Sequence, residues 1–547
     1  MKRVTTLLSL FVMFTLPSCK RSEIPQALPP QSAILPTGAS TRSSGPSAGV
    51  FTSDREYNLN VIYFVPKDLT ALPDYERRLS ELLLWAQNWV KQQMANSGYP
   101  NKTFGMFTNA DKTRIRIITV YGSKTKDQYP YLGGNGAVYE EVNAYFTANP
   151  SLKKSMHNLI ILPYYKVEAD GTLSGGPFYG TGRDCYALDY EGMDIKNLGK
   201  TDAAGRVFSA WFGGMVHELG HGLNLPHNRQ KVSENNDPQK GMSLMWAGNG
   251  TLGISPTFLT ATDCAILNVN QVFNPGTDIY YGPATASITR IHASYEASSS
   301  SILLSGRFTS SVPVNSVVYY NDPNVNNEGT GVNHDYNAIT WESKTIGTDS
   351  FYVKMPISEL EYKDNATPYD LKVKLVHTNG TITETLYTYK FTDGIPVLNF
   401  STRNELSKQG WTIKSFSSEE TTGEGAVNGR AATLIDNNVS TFWHSKWSNP
   451  AANYPHEVVV DMASIKSAKG LSLTQRNGLS RAVKNFEIQI SNDGVNFSPM
   501  GNFVAENING PQYFNFGSPQ SFRYFKVIAK SAWDGEQFAA LAELGLI

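Results

Sequence analysis

Residues 217–227 read His-Glu-Leu-Gly-His-Gly-Leu-Asn-Leu-Pro-His, which places three of the chain's nine histidines within one short segment. His217 and His221 are four apart, so on a helix both imidazoles leave one face and can share a metal ion. Glu218 stands beside the first of them, placed to take the proton of a metal-bound water. A third ligand requires the chain to reverse sharply. Asn224 tolerates the left-handed backbone that a reversal needs, second only to glycine, and Pro226 blocks further helix. His227 can then return to the metal. Three protein ligands leave a fourth position open, which is the geometry of a catalytic rather than a structural zinc site. Phe208, Trp211, Phe212, Met215, Val216, Leu219 and Leu223 give the segment Gly205 to Leu223 a buried helical face. A helix whose histidines merely pack needs neither Glu218 between them nor a third histidine after the turn.

The surrounding residues 53–285 alternate strand and helix signals. Tyr57 to Val65, Thr113 to Tyr121 and Asn158 to Tyr164 read as strands, and Asp74 to Ala95 and Ala137 to Phe146 as helices. Phe178 to Tyr190 reads as an edge strand before the helix that carries the motif. The order β-α-β-α-β-β-α predicts a mostly parallel sheet with helices on its faces.

On His217, Glu218, His221 and His227 the segment resembles the metzincin zinc peptidases, with Asn224 where that family has glycine. The resemblance implies a Met turn beneath the zinc. Ser243-Leu244-Met245-Trp246 matches it, with Met242 as the rival methionine. The following helix would be Phe258 to Val272. Some metzincins place a tyrosine two positions after the turn methionine. Here that position is Ala247, so no such role carries over. The resemblance also implies that the edge strand lines the substrate cleft, with Tyr179 and Arg183 as candidate contacts. No segment upstream resembles a cysteine-switch propeptide.

The chain opens with Lys2 and Arg3, an apolar run from Val4 to Leu16, and Leu16-Pro17-Ser18-Cys19. The run is too short to span a bilayer as a stable helix, so residues 1–19 read as a signal peptide. The last four resemble a bacterial lipobox, which implies lipidation at Cys19. The alternative is an ordinary secretory signal with an incidental cysteine. Residues 20–52 are rich in Pro, Ser, Gly and Thr and read as a flexible tether. The expected location is the bacterial outer membrane or cell surface, with lipid as the only membrane contact, or otherwise secretion. In an oxidising compartment Cys185 and Cys264 either pair or stand as two buried thiols.

Residues 286–398 lose helical spacing and show short alternating strands, with Asn379-Gly380 marking a hairpin. They predict an Ig-like β-sandwich with a spacer role, in which His334 and His377 are loop and strand decoration. Residues 399–547 are again all-β. The runs AATLIDNNVSTFWHSKWS, VKNFEIQISNDGVNF and RYFKVIAKSAWDGEQF resemble the discoidin-like, or coagulation-factor type C, domain. That implies a β-sandwich jelly roll with ligand loops at one end. In bacterial secreted proteins the family commonly binds galactose or N-acetylgalactosamine. His444, Arg476 and Asn477 match its polar loop positions, and Trp533 is the candidate aromatic platform. Trp443 reads as core, and Trp447 is undecided. A structural calcium is common in the family, and Asp436, Thr441 and Glu543 match its side-chain ligands.

The expected fold is therefore multidomain: an α/β metzincin-like catalytic domain, an Ig-like β-sandwich and a jelly roll. Lys plus Arg is 47 and Asp plus Glu is 48, for a net charge of −1, which argues against a nucleic-acid partner. The reading that follows is a surface-anchored zinc endopeptidase acting on glycoproteins, with mucin-type O-glycoproteins as the natural substrates. A sugar-binding module would raise its effective concentration on them. Two alternatives are a non-catalytic glycan-binding adhesin and a glycoside hydrolase. Intact ligands and Glu218 weigh against the first, and the lack of a matched carboxylate pair weighs against the second.

Overall fold

The computed structural model describes residues 50–547 except 169–172, 277, 328–333, 399, 401–404 and 509. The signal peptide, Cys19 and residues 20–49 of the tether lie outside the described residues.

The first unit is a sheet with helices against it. Its strands are β1 (Asn60–Val65), β2 (Ile118–Tyr121), β3 (Asn158–Pro163), β4 (Gly180–Thr181) and β5 (Asp184–Asp189). Their order in the sheet is β2-β1-β3-β5-β4, with β1, β2, β3 and β5 parallel and β4 antiparallel. Every residue of β1 (NVIYFV) and β3 (NLIILP) is buried, as expected for central parallel strands covered on both faces. The helices are α1 (Tyr75–Asn96), α2 (Gly134–Ala148), α3 (Ala203–Gly222) and the shorter α4 (Ala261–Asn268).

Three sequence expectations change. The stretch expected as one edge strand, Phe178 to Tyr190, is a tight hairpin. Gly182 takes a φ of 64° and turns the chain between β4 and β5. β5 is therefore an inner strand, buried from Cys185 to Asp189, and only the two residues of β4 form the edge. The strand expected over Thr113 to Tyr121 shortens to β2; before it, Ile115 pairs with Thr108 in an isolated antiparallel bridge and its N–H donates to the Ser80 hydroxyl. The helix expected over Phe258 to Val272 shortens to α4. It starts where Thr260 and Asp263 cap each other and ends at Asn268. Cys185 and Cys264 are two separate buried thiols, donating to the carbonyls of Asn158 and Gln93. Burial pushes both thiols up, Cys264 to about 12.

The second unit packs two sheets. Strands β6 (Ala286–Glu296), β7 (Ser301–Ser310) and β10 (Ser350–Pro356) form one. β8 (Val314–Pro323), β9 (Ile339–Lys344), β11 (Pro368–His377), β12 (Ile382–Thr392) and β13 (Ile395–Val397) form the other, in the order β9-β8-β11-β12-β13. Asn379 and Gly380, φ 82°, make the β11–β12 hairpin. His377 is buried beneath it, bonded to Thr383 and to the Val312 carbonyl. Strand alternation gives β8 two partners. Val317 and Tyr319 enter the sandwich's own core, while Val318 and Tyr320 enter the core of the first unit.

The third unit is a seven-stranded β-structure built on two long strands, His456–Gln475 and Pro511–Ala529. Trp411, Trp443, Phe486 and Phe525 fill its core. The whole is a multidomain chain, rich in β-sheet with few helices.

Candidate functional site

Helix α3 carries the motif. Asp202 caps its start, accepting from Gly205 N at 2.8 Å. It ends at Gly222, and Asn224 takes the left-handed conformation, φ 71°, that reverses the chain. His217, His221 and His227 then converge: His221 Nε2 lies 3.2 Å from His217 Nε2 and 3.0 Å from His227 Nε2. A tetrahedral zinc with bonds of ~2.0–2.1 Å needs nitrogens ~3.3–3.4 Å apart, so the three fit that ion. Among the described residues this is the one cluster of three or more histidines, cysteines or carboxylates close enough to share a metal.

Backbone carbonyls orient two of the rings. His217 Nδ1–H donates to the Leu244 carbonyl at 2.7 Å and His221 Nδ1–H to that of Leu225 at 2.8 Å, which leaves both Nε2 lone pairs to the centre. Burial holds all three rings neutral, lowering His217 to about 3 and moving His221 and His227 the same way. Met245 lies beneath the helix, fully buried. A side chain at Gly220 would meet its Sδ at 2.5 Å, so helix and turn touch only because position 220 is glycine. Met242 is partly exposed and accepts from Gln230. The ring of Tyr336, from the loop between β8 and β9, stacks on His227 with centroids 3.8 Å apart and planes 19° apart.

Glu218 Oε2 accepts a bond from Gly180 N on β4 at 2.7 Å. Burial pushes this carboxyl up to about 8, against the lowering pull of that N–H. A cavity of roughly 630 Å3 opens beside it, with Tyr131, Leu132, Phe178, Leu188 and Trp211 in its walls. The two cleft candidates are placed differently. Tyr179 donates to Asn135 Oδ1 at 2.9 Å and meets Tyr131 edge to face. Arg183 sits at the hairpin tip, its guanidinium 3.9 Å from the centre of the Tyr281 ring. Neither lines the cavity. Within the stretch expected to line the cleft, Phe178 and Leu188 form cavity wall and Gly180 reaches Glu218, although the sequence singled out none of the three as a contact. The glycine pair in Tyr-Gly-Thr-Gly was the available signal.

In the third unit, Glu424, which sequence reasoning missed, gathers two of the expected sugar-site residues, His444 and Arg476, together with Trp447. It accepts from Trp447 Nε1 at 3.1 Å and pairs with Arg476 at 3.4 Å, with His444 Nε2 at 4.0 Å. Arg476 also covers Phe442, and His444 neighbours Phe538. Glu420 orders the two loops that meet here. Burial alone would raise its carboxyl, but N–H bonds from Ser448, Thr422 and Gly423 hold it well below the usual range. Trp447 is 42% exposed and is the aromatic ring tied to the cluster. Trp533, at 40%, is held elsewhere by the Ala505 carbonyl and Lys484. Asn477 is exposed on the loop after Arg476, and Trp443 is core.

Asp436, Thr441 and Glu543 come together: Thr441 donates to Asp436 at 2.7 Å, and Asn438 N bridges to both carboxylates. The ammonium of Lys408, buried alongside, pairs with Glu543. A tethered cation therefore already stands against Glu543, and these side chains do not fit a calcium ion as arranged.

Comparison with known proteins places these features. The family model for the F5/8 type C domain matches residues 413–544. A sialidase of Micromonospora viridifaciens is 34% identical over 142 residues, which is 25% of this chain and 21% of the sialidase. The chain thus spans about a fifth of that relative. Among solved structures, wild-type OgpA of Akkermansia muciniphila is 36% identical, with 62% of this chain and 94% of OgpA covered at a TM-score of 0.57. Catalytically inactive OgpA in complex with an O-glycopeptide (glycodrosocin) substrate is 35% identical, with 63% and 96% covered at a TM-score of 0.58. The chain belongs to the family of OgpA, and it carries an F5/8 type C domain over residues 413–544.

Proposed function

We propose that this chain is a zinc-dependent endopeptidase of the metzincin type that hydrolyses peptide bonds in mucin-type O-glycosylated proteins. The observation that carries the reading is the convergence of three neutral imidazoles beside Glu218 at the mouth of a large cavity. The likeness to OgpA, captured with an O-glycopeptide, supports the substrate class. When bound by His217, His221 and His227, zinc supplies a Lewis acid and lowers the pKa of water. Glu218 acts as general base toward the attacking water and then returns the proton to the leaving amine. Gly180 N–H fixes Oε2 for this work and leaves Oε1 for proton transfer. The apolar walls around Phe178 and Trp211 exclude competing water.

The remaining parts serve delivery. Lipid on Cys19 holds the protein at the cell surface, and residues 20–52 give it reach. The F5/8 type C domain binds galactose- or N-acetylgalactosamine-type glycans through His444, Arg476 and Trp447, organised by Glu424. Binding there raises the local concentration of glycosylated substrate.

The test is digestion of one heavily O-glycosylated protein, with its glycans present or enzymatically removed, by wild type and Glu218→Ala, with cleavage sites mapped by mass spectrometry. The glycosylated form should be cut by wild type, and the variant should keep zinc and lose turnover. No cleavage by wild type, or equal cleavage by the variant, refutes the assignment.

A further inference from the structure

The β-sandwich does more than adjoin the peptidase unit. The segment just after the third histidine is built into it. Arg229 N donates to the Ala338 carbonyl at 2.8 Å, and Arg229 pairs with Ile339 in a parallel bridge. The Arg229 guanidinium forms an ion pair with Glu361. Ala338 is fully buried in the peptidase core. From this docked loop Tyr336 lays its ring on His227.

The loop is held by an unusual device. Asp335, directly before Tyr336, has a φ of 63°, in the left-handed region that residues other than glycine adopt only occasionally. Buried charges over-determine it. Lys372 bridges Asp335 at 2.5 Å and Asp322 at 3.0 Å, Lys374 lies 3.6 Å from Asp335, and Asp335 N donates to Asp322 at 3.2 Å. Lys372 and Lys374 both rise from β11, in the middle of the sheet. The strained turn is thereby fixed to the rigid part of the sandwich, and Tyr336 with it.

His217 and His221 stand on a continuous helix, and carbonyls orient both rings. His227 stands on irregular chain after Pro226, where no helix fixes its torsions. A flat ring stacked on it restricts rotation about the Cβ–Cγ bond and keeps Nε2 aimed at the centre.

We propose that the sandwich is a working half of the metal site, in which Tyr336 is a positioning residue that aims the third ligand, His227. This inference rests on the zinc peptidase reading. It makes the peptidase unit the two domains together, and it assigns the ring of Tyr336, rather than its hydroxyl, the effect on the metal.

The test uses the full mature chain as wild type, Tyr336→Phe and Tyr336→Ala. Three quantities are measured: zinc affinity by competition with a chromophoric chelator, the absorption bands of the cobalt-substituted protein, and the melting temperature of the metal-free protein. Tyr336→Phe should keep zinc affinity within about threefold of wild type, and Tyr336→Ala should lose ~10–100-fold, the range for residues that orient metal ligands. The cobalt bands should shift in the alanine variant alone, with the metal-free melting temperature unchanged in both variants. Wild-type affinity and bands in Tyr336→Ala overturn the inference. So does a loss of affinity matched by a fall in metal-free melting temperature, because that marks a merely structural role. A wild-type protein that binds no zinc refutes the metal-centre reading, and the inference falls with it.

Discussion

Gly180→Ala tests how closely the edge strand and the zinc helix are matched. A Cβ at position 180 would lie 2.3 Å from His221 Cβ and 3.1 Å from the Glu218 carbonyl. Two carbons in ordinary contact stand ~3.5–4.0 Å apart, so β4 must retreat by more than ~1 Å. The bond from Gly180 N to Glu218 Oε2, now 2.7 Å, then stretches past the ~3.2 Å limit of a useful hydrogen bond. A hydrogen bond to a charged group contributes ~1.5–3 kcal/mol. At ~1.4 kcal/mol per factor of ten, kcat/KM on an O-glycopeptide should fall by about 10–150-fold. Gly182→Ala is the control. Its φ is 64°, but nothing lies within 4 Å of the added Cβ. It should cost ~1–2 kcal/mol of stability for the left-handed backbone and leave Glu218 bonded. The assay is steady-state cleavage of one synthetic glycopeptide, with zinc content and melting temperature measured on each protein. Wild-type kcat/KM in Gly180→Ala, or an equal loss in Gly182→Ala, refutes the argument.

Lys408→Met leaves Glu543 and Asp436 without their internal cation; breaking such a buried pair costs ~3–5 kcal/mol, and differential scanning calorimetry should show the loss in the C-terminal domain. Added calcium should restore part of it, whereas chelators should leave the wild-type transition of the C-terminal domain unchanged; a fall in that transition on chelation contradicts the Lys408 assignment. Acid should weaken the metal-free peptidase unit through His157, whose Nδ1–H donates to the Gly222 carbonyl and whose Nε2 accepts from Tyr281. Burial lowers this ring to about 4, against the raising effect of the Gly222 bond. The folded state thus binds fewer protons than the unfolded one between pH 6.5 and about 4. The stability is present above pH 6.5 and is lost as pH falls through that window, reaching about 2 kcal/mol by pH 5. Urea unfolding at pH 7 and pH 5 should show this loss in wild type and a smaller one in His157→Gln, and equal slopes would count against the assignment.

The parts of the site that a sequence shows are those built from local geometry. The i, i+4 histidines, the left-handed Asn224 and the helical face of α3 each follow from residues within a turn or two of one another. What escaped the sequence was set by distant partners. Gly180 matters because of His221, 41 positions away. Glu424 matters because the segment carrying His444 and Trp447 meets Arg476, some 30 positions further on, around it. Trp533 looked like the platform because it is an aromatic residue beside polar loop residues, but Lys484 and the Ala505 carbonyl hold it apart. The hairpin at Gly182 failed for a different reason. The aromatic Phe178-Tyr179 before it and the apolar Cys185 to Leu188 after it read as one strand, and a single positive φ at Gly182 divides them.

The docking of the sandwich on the peptidase unit was half legible. A strand with one face in water alternates apolar and polar residues, but β8 reads Val317-Val318-Tyr319-Tyr320 without interruption. That run states that both faces are covered. It cannot state by what, because a second sheet, a helix or another chain would satisfy it equally. Asp322, Lys372 and Lys374 give the opposite signal, since charges within strands suggest an exposed edge, yet all three are buried. They are inside because they neutralise one another around Asp335, a pairing that spans some 50 residues between Asp322 and Lys372. The charges that hide the docked face in the sequence are the ones that hold the turn before Tyr336, whose ring lies on the third histidine.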